Sequence, residues 1–364
     1  MGRLKYIDSL RGIAALIVVL FHLIDVFFSN FQFGKSEAEI SQIKIFARSI
    51  FNGSDWVSFF FVLSGFSLSL FYLKNDIEID LRKFYIKRFF RIYPLYLIIL
   101  LTSFIFAYST TSWSTFMSQL FLFNYSNGLI PPSWSLSIEW IGSLLIPFFI
   151  MLFKVNKNYF YYLTAISLLL YNGIGNVQSS FFGFMINFLL GIILADLYLK
   201  NQLKPIKKYL IIVVPFIVLA FSSRWLIDYF PRFKYLVHFF TDILNMDFHQ
   251  FFYILSAFGS FLLLYIVLQN RRIQRVLSYK FFVFLGTISF SIYLIHYLII
   301  KLFFSQFVDY FSFIDNEMLH GSLSILSLII LVILCSISTY YLIEKPFINV
   351  MKNGDKINSK EERN

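Results

Sequence analysis

An imidazole set in an apolar stretch can take up and return a proton near neutral pH, and a charged group there is costly enough to suggest a function. The sequence places such a histidine eleven residues after an arginine, in Arg11-Gly-Ile-Ala-Ala-Leu-Ile-Val-Val-Leu-Phe-His22. At about 100° per residue the pair is within about 20° of three full helical turns, so Arg11 and His22 share a face and stand about 16 Å apart along the axis. Asp25 falls one turn further on the same face, where its carboxylate can hold the ring in one tautomer. Taken singly, Arg11 is an anchor for one helix end and His22 a packed histidine; taken as a pair on one face, they point to proton transfer beside a fixed positive charge.

Two further groups of residues supply complementary chemistry. Pro131-Pro132-Ser133-Trp134-Ser135-Leu136-Ser137-Ile138-Glu139-Trp140 leads into another apolar stretch. Ser133 or Ser135 can cap a helix after the prolines, which sets Glu139 about one turn inside it. There a carboxylate serves as a base, as an acceptor for a sugar hydroxyl or as a partner for His22; its structural reading is a complement to the helix dipole. Earlier in the chain Arg82, Lys83, Lys87, Arg88 and Arg91 crowd ahead of Ile92-Tyr93-Pro94. Lys83, Lys87 and Arg91 recur every four residues, and Arg88 and Arg91 form an Arg-x-x-Arg pair, so a helix here projects one basic ridge ending at a Tyr-Pro break. Planar guanidinium forks suit phosphates. Orientation in a membrane and attraction to anionic lipid account for most of this charge, though not for the spacing.

Other polar residues carry plainer readings. Ser64 and Gly65, within Phe60-Phe61-Val62-Leu63-Ser64-Gly65-Phe66, are small residues that permit close helix approach. Asp196 and His296 read as satisfied interior residues, and Glu344-Lys345-Pro346-Phe347 as the stop of a last helix. His238, His249 and His320 lack metal-ligand spacing, and the single cysteine, Cys335, leaves no disulfide or cysteine-based metal site.

The elements that must position these groups follow from composition. Hydrophobic residues make up 58% of the 364 and charged ones 14%, with a mean hydropathy of +0.71. That excludes a soluble enzyme, a disordered chain and a fibrous repeat. Ten apolar stretches approach the roughly 20 residues that cross about 30 Å of hydrocarbon: 10–28, 56–73, 92–109, 134–153, 159–172, 181–199, 209–224, 251–268, 281–300 and 321–343. They are continuous in Phe, Leu and Ile rather than alternating, which excludes a β-barrel. The expected fold is all-α, a polytopic membrane protein with about ten transmembrane helices. With the amino terminus cytoplasmic, 24 of the 31 lysines and arginines fall on the cytoplasmic side, so both termini are expected there. The net charge of +11 is therefore read as topology plus one anion site, not as affinity for nucleic acid. The first apolar stretch, too long for a signal h-region and without a cleavage motif, is expected to stay in the protein. One membrane domain over 1–348 and a short polar cytoplasmic tail over 349–364 complete the expectation.

Four motifs in order resemble a known family: Tyr6-Ile7-Asp8-Ser9-Leu10-Arg11-Gly12 with His22, then Phe60 to Phe66, then Arg88-x-x-Arg91-Ile92-Tyr93-Pro94, then Trp134-Ser135-Leu136-Ser137-Ile138-Glu139. Together with Glu344-Lys345-Pro346 they are similar to the acyltransferase-3 family of integral membrane O-acyltransferases. The resemblance implies transfer of an acyl group, commonly acetyl, from acyl-coenzyme A to a carbohydrate hydroxyl, often of a surface polysaccharide or lipopolysaccharide, in the bacterial cytoplasmic (inner) membrane. It implies that Arg11 and His22 are essential and that Arg88 and Arg91 assist the donor. Some members carry a hydrolase-like domain after the membrane part, whereas this sequence stops soon after its last apolar stretch.

On this basis acyl-coenzyme A, acetyl-CoA above all, is the expected donor, with no permanently bound cofactor and no metal. Its phosphates rest on Lys87, Arg88 and Arg91 beside Tyr93, its pantetheine arm reaches toward His22, and the acceptor hydroxyl arrives past Glu139. Direct transfer and an acyl-enzyme intermediate on His22 or a nearby serine both remain open. The competing class is a proton-coupled transporter or flippase, in which His22, Asp25 and Glu139 form a proton relay; it calls for an inverted internal repeat, which the sequence lacks.

Overall fold

The computed structural model describes residues 4–31, 33–75, 78–107, 112–123, 128–170, 181–205, 209–227, 231–244 and 248–351. Among these every regular element is helical: α1 (Lys5–Asn30), α2 (Glu37–Ile50), α3 (Gly53–Asn75), α4 (Leu81–Ala107), α5 (Trp113–Leu120), α6 (Ser133–Val155), α7 (Lys157–Leu170), α8 (Phe181–Leu199), α9 (Leu210–Leu226), α10 (Pro231–Leu244), α11 (Phe248–Gln269), α12 (Arg271–Leu277), α13 (Lys280–Thr287), α14 (Ser289–Tyr310) and α15 (Glu317–Thr339), the last running into a π turn at Tyr340–Glu344. Helices satisfy their own backbone groups, which hydrocarbon cannot do for them.

Seven helical stretches among the described residues are long and apolar enough to cross a membrane: Lys5–Asn30, Glu37–Lys74, Leu81–Ala107, Ser133–Val155, Gln250–Gln269, Ser289–Tyr310 and Glu317–Met351. Gly183–Leu199 and Leu210–Ser222 are apolar but shorter, as is α7 with 14 residues. The protein is thus an all-helical, multi-pass membrane protein.

Two local expectations change. The basic ridge does not end at Pro94, because α4 runs unbroken through it. A proline inside a helix removes one backbone bond but is tolerated where neighbouring helices compensate, and Pro147 and Pro215 also lie inside helices. The stretch 281–300 is two helices, α13 and α14, parted at Ile288. Lys301 lies inside α14, with Tyr297 in the lining of a cavity of about 130 Å³.

The chain divides into two compact units, Met1–Ile77 with Ser135–Ser289, and Glu78–Trp134 with Phe290–Asn364. The core of the first gathers Tyr6, Leu10, Phe59, Val62, Phe66 and Leu264 from α1, α3 and α11. Trp56 of α3 packs edge-on against Phe221 of α9, and Phe61 stacks on Phe188 of α8. In the second, Tyr96 of α4 donates to the Gln119 carbonyl at 2.7 Å, and Gln119 reaches the Leu129 amide at 3.0 Å. Tyr293 of α14 donates to the Pro132 carbonyl at 3.2 Å. Buried polar groups in this unit are thereby engaged where the Pro131-Pro132 segment turns.

Candidate functional site

In the first unit the helix that carries Arg11 and His22 is fixed by close backbone approach. A Cβ on Gly12 would sit 2.5 Å from the Gly286 amide nitrogen, and one on Gly286 would overlap the Asp8 carbonyl, so α1 and α13 meet glycine to glycine. Ser9 adds a hydrogen bond from its hydroxyl to the Leu277 carbonyl. Because α1 is continuous from Lys5 to Asn30, the expected shared face of Arg11 and His22 is kept. Arg11 pairs with Asp8 one turn earlier, at 3.5 Å, and remains about one-third exposed.

His22 is half-buried and meets Phe21 edge-on at 5.4 Å. Asp25 follows it by three residues, one turn further along α1. Asp25 takes a hydrogen bond from Arg48, and its other oxygen lies 3.6 Å from the Lys44 ammonium, so two cations of α2 converge on the carboxylate beside His22. Arg48 also stands over the Phe21 ring at 5.1 Å. The helix that delivers these cations is begun by a capping box, Ser36 with Glu39. Asp25 therefore sits next to the imidazole, as its spacing requires, while its own oxygens are held by α2.

Glu139 lies in the second turn of α6, which starts at Ser133. Ser64 of α3 donates a hydrogen bond to its Oε1. Gly65 and Gly191 bring α3 and α8 together: a Cβ on Gly65 would overlap the Phe188 carbonyl, and one on Gly191 that of Val62. Gly65 is the close-approach residue expected, whereas Ser64 has the added work of orienting Glu139.

In the second unit α4 presents Lys87, Arg88, Arg91 and Tyr93, all half-buried. Tyr93 stacks on Phe89 at 4.6 Å with an 18° interplanar angle. Arg91 donates to Glu344 Oε2 at 2.6 Å and lies over the Phe290 ring at 5.4 Å. Ser291 donates to the other oxygen, Oε1, of the same carboxylate. The late Glu-Lys-Pro motif is therefore tied to the Arg-x-x-Arg motif.

A family model described as an acyltransferase domain matches residues 4–341. The chain belongs to the acyltransferase-3 family. Similar members include "Putative O-acetyltransferase SACOL0978" of Staphylococcus aureus (strain COL), 26% identical over 366 residues that cover 86% of this chain and 54% of that protein. "Putative O-acetyltransferase SAS0844" of Staphylococcus aureus (strain MSSA476) is 26% identical over 359 residues, 85% of this chain and 53% of that protein. The chain spans about half the length of these relatives. No solved structure matches.

Within this family member, Asp196 is satisfied, as expected, and His296 is an interior residue. Asp196 accepts from Lys157 at 3.0 Å and Lys200 at 2.9 Å, and His296 is fully buried with Nδ1 2.8 Å from the Tyr293 carbonyl. The side chain of His249 lies outside the described residues. Sequence reasoning missed Arg48, Ser64, Ser291 and Glu344 as partners of the candidate residues. For Arg48 alone a signal was available, the Ser36-x-x-Glu39 capping box that announces α2.

Proposed function

We propose that this member of the family is a membrane O-acyltransferase that moves an acyl group, acetyl in the simplest case, from acyl-coenzyme A to a hydroxyl of a carbohydrate. The observation that carries the reading is the unbroken α1, which keeps Arg11 and His22 on one face with Asp25, paired to Arg48, one turn further on. A neutral imidazole accepts the proton of the acceptor hydroxyl, and the oxygen attacks the thioester carbonyl. The new C–O bond forms as the C–S bond breaks, and the proton passes from His22 to the departing thiolate. A guanidinium near the carbonyl stabilises the negative charge that builds on its oxygen, which is the part assigned to Arg11.

Donor binding is assigned to Lys87, Arg88 and Arg91, whose ammonium and paired guanidinium groups offer charge-assisted hydrogen bonds to phosphate. Stacked Phe89 and Tyr93 supply an aromatic surface beside them. Glu139, oriented by Ser64, receives a hydroxyl of the incoming sugar. Surface polysaccharide or lipid-linked glycan at the bacterial cytoplasmic membrane is the acceptor class, with the basic connections on the cytoplasmic side. Names of the relatives as O-acetyltransferases support acetyl as the group carried.

The test is direct. Purified protein is incubated with acetyl-CoA radiolabelled in the acetyl group and with cell-envelope glycans. Label in the glycan, released by mild base as an ester, is the expected result; label that only accumulates across a proteoliposome membrane without esterification identifies a transporter instead.

A further inference from the structure

The π turn Tyr340–Glu344 changes which way the end of the last helix faces. Tyr341 and Leu342 are exposed, yet Glu344, two residues on, has a side chain only 2% exposed. A π turn adds a residue to the helical repeat and re-aims the side chains that follow it, an insertion that recurs at functional sites. The sequence treats Glu344 as part of a helix stop, and a stop needs neither burial nor two donors. Its carboxylate receives Arg91 on Oε2 and Ser291 on Oε1, so both oxygens are fixed. Phe347, one turn further on, stacks on Phe90 of α4 and holds the turn against the basic ridge.

The arrangement restrains Arg91 while leaving part of it exposed. One terminal nitrogen is given to Glu344 and the ring of Phe290 lies against the guanidinium plane. Arg91 nonetheless stays 36% exposed, and a guanidinium has five N–H donors in a fixed fork. An arginine so held loses little rotamer freedom when it takes an anion, whereas an unrestrained one must be ordered at the moment of binding.

We infer that Glu344 and Ser291 are positioning residues for the donor site: they pre-orient the Arg91 guanidinium toward a phosphate of the acyl-coenzyme A. The inference rests on the donor role proposed above for Arg88 and Arg91. It has a definite sign. A carboxylate near an anion site acting through its charge alone would repel phosphate, so its neutralisation would tighten binding; a carboxylate acting by orientation makes the donor bind more weakly when neutralised.

Coenzyme A binding to the full-length protein in detergent is measured by calorimetry, with thermal unfolding followed in parallel so that only folded protein is compared. Glu344→Gln keeps the shape and the bond from Ser291 but loses the charge-assisted grip on Arg91, and weakens coenzyme A binding about tenfold. Arg91→Gln weakens it by a similar factor, and the double variant by no more than either single change, because both remove the same oriented guanidinium. Ser291→Ala, the arm to use if Glu344→Gln fails to fold, weakens binding about threefold through one lost hydrogen bond. In turnover the loss appears in KM for the acyl donor, while KM for the glycan is unchanged. Unchanged or tighter binding in Glu344→Gln, or losses that add in the double variant, overturns the positioning role. Unchanged binding in Arg91→Gln removes the donor reading itself, and the positioning role with it.

Discussion

The two units fix their candidate side chains by different means. In the first, α1, α3, α8 and α13 meet at glycines where a Cβ would strike a neighbouring backbone, so the helices bearing Arg11, His22 and Ser64 are placed by shape. In the second, Arg91 is placed by charge, through a carboxylate that is almost wholly buried. The ion pair beside His22 in the first unit, Asp25 with Arg48, is about one-quarter exposed on each side. Packing by shape fixes the helix that carries the imidazole, a group that must change protonation state. A buried carboxylate grips a group that must stay charged and stay put.

The comparison can be broken in order of expected effect. Gly12→Val should be the most damaging change, since its side chain would enter the Gly286 backbone; a loss of about 4 kcal/mol or more is expected, seen as little folded protein on size exclusion in detergent. Arg91→Ala should cost about 3–5 kcal/mol by stranding the buried Glu344 carboxylate, and Arg91→Met combined with Glu344→Gln should regain most of that stability without regaining donor binding. Arg48→Ala, in the pair about one-quarter exposed on each side, should cost only about 0.5–1 kcal/mol in thermal unfolding yet lower acyl transfer, because it releases Asp25 beside His22. Lys200→Ala should be nearly silent: its bond to Asp196 is 43% exposed on the lysine side, and about 0.5 kcal/mol or less is expected, smaller still in high salt. Equal losses for Arg48→Ala and Arg91→Ala would erase the distinction between the units.

Much of this contrast is visible in the sequence on one side only. Arg11 and His22 lie on one face whatever packs against them, because an apolar helix of sufficient length fixes their phase, and α8 occupies the expected 181–199. What escapes is whatever depends on residues far apart in the chain. Glu344 and Arg91 are 253 positions apart, and nothing local marks the π turn that joins them. Reading by apolar runs also passes over α2, whose glutamates, lysine and arginine dilute its hydropathy although its capping box is plain. The division of 281–300 at Ile288 is hidden for the opposite reason: both sides of the break are equally apolar. Gly286 gains its meaning only from Gly12 and Asp8, which no window around it contains.

The central claim is that His22 takes the proton of the acceptor hydroxyl. Its most direct measurement is transfer of labelled acetyl from acetyl-CoA to envelope glycan by the His22→Ala variant, at membrane levels equal to the unaltered protein and with coenzyme A binding measured alongside. A fall of about 100-fold or more in transfer with coenzyme A binding retained is the expected result. Transfer at the unaltered rate would contradict it.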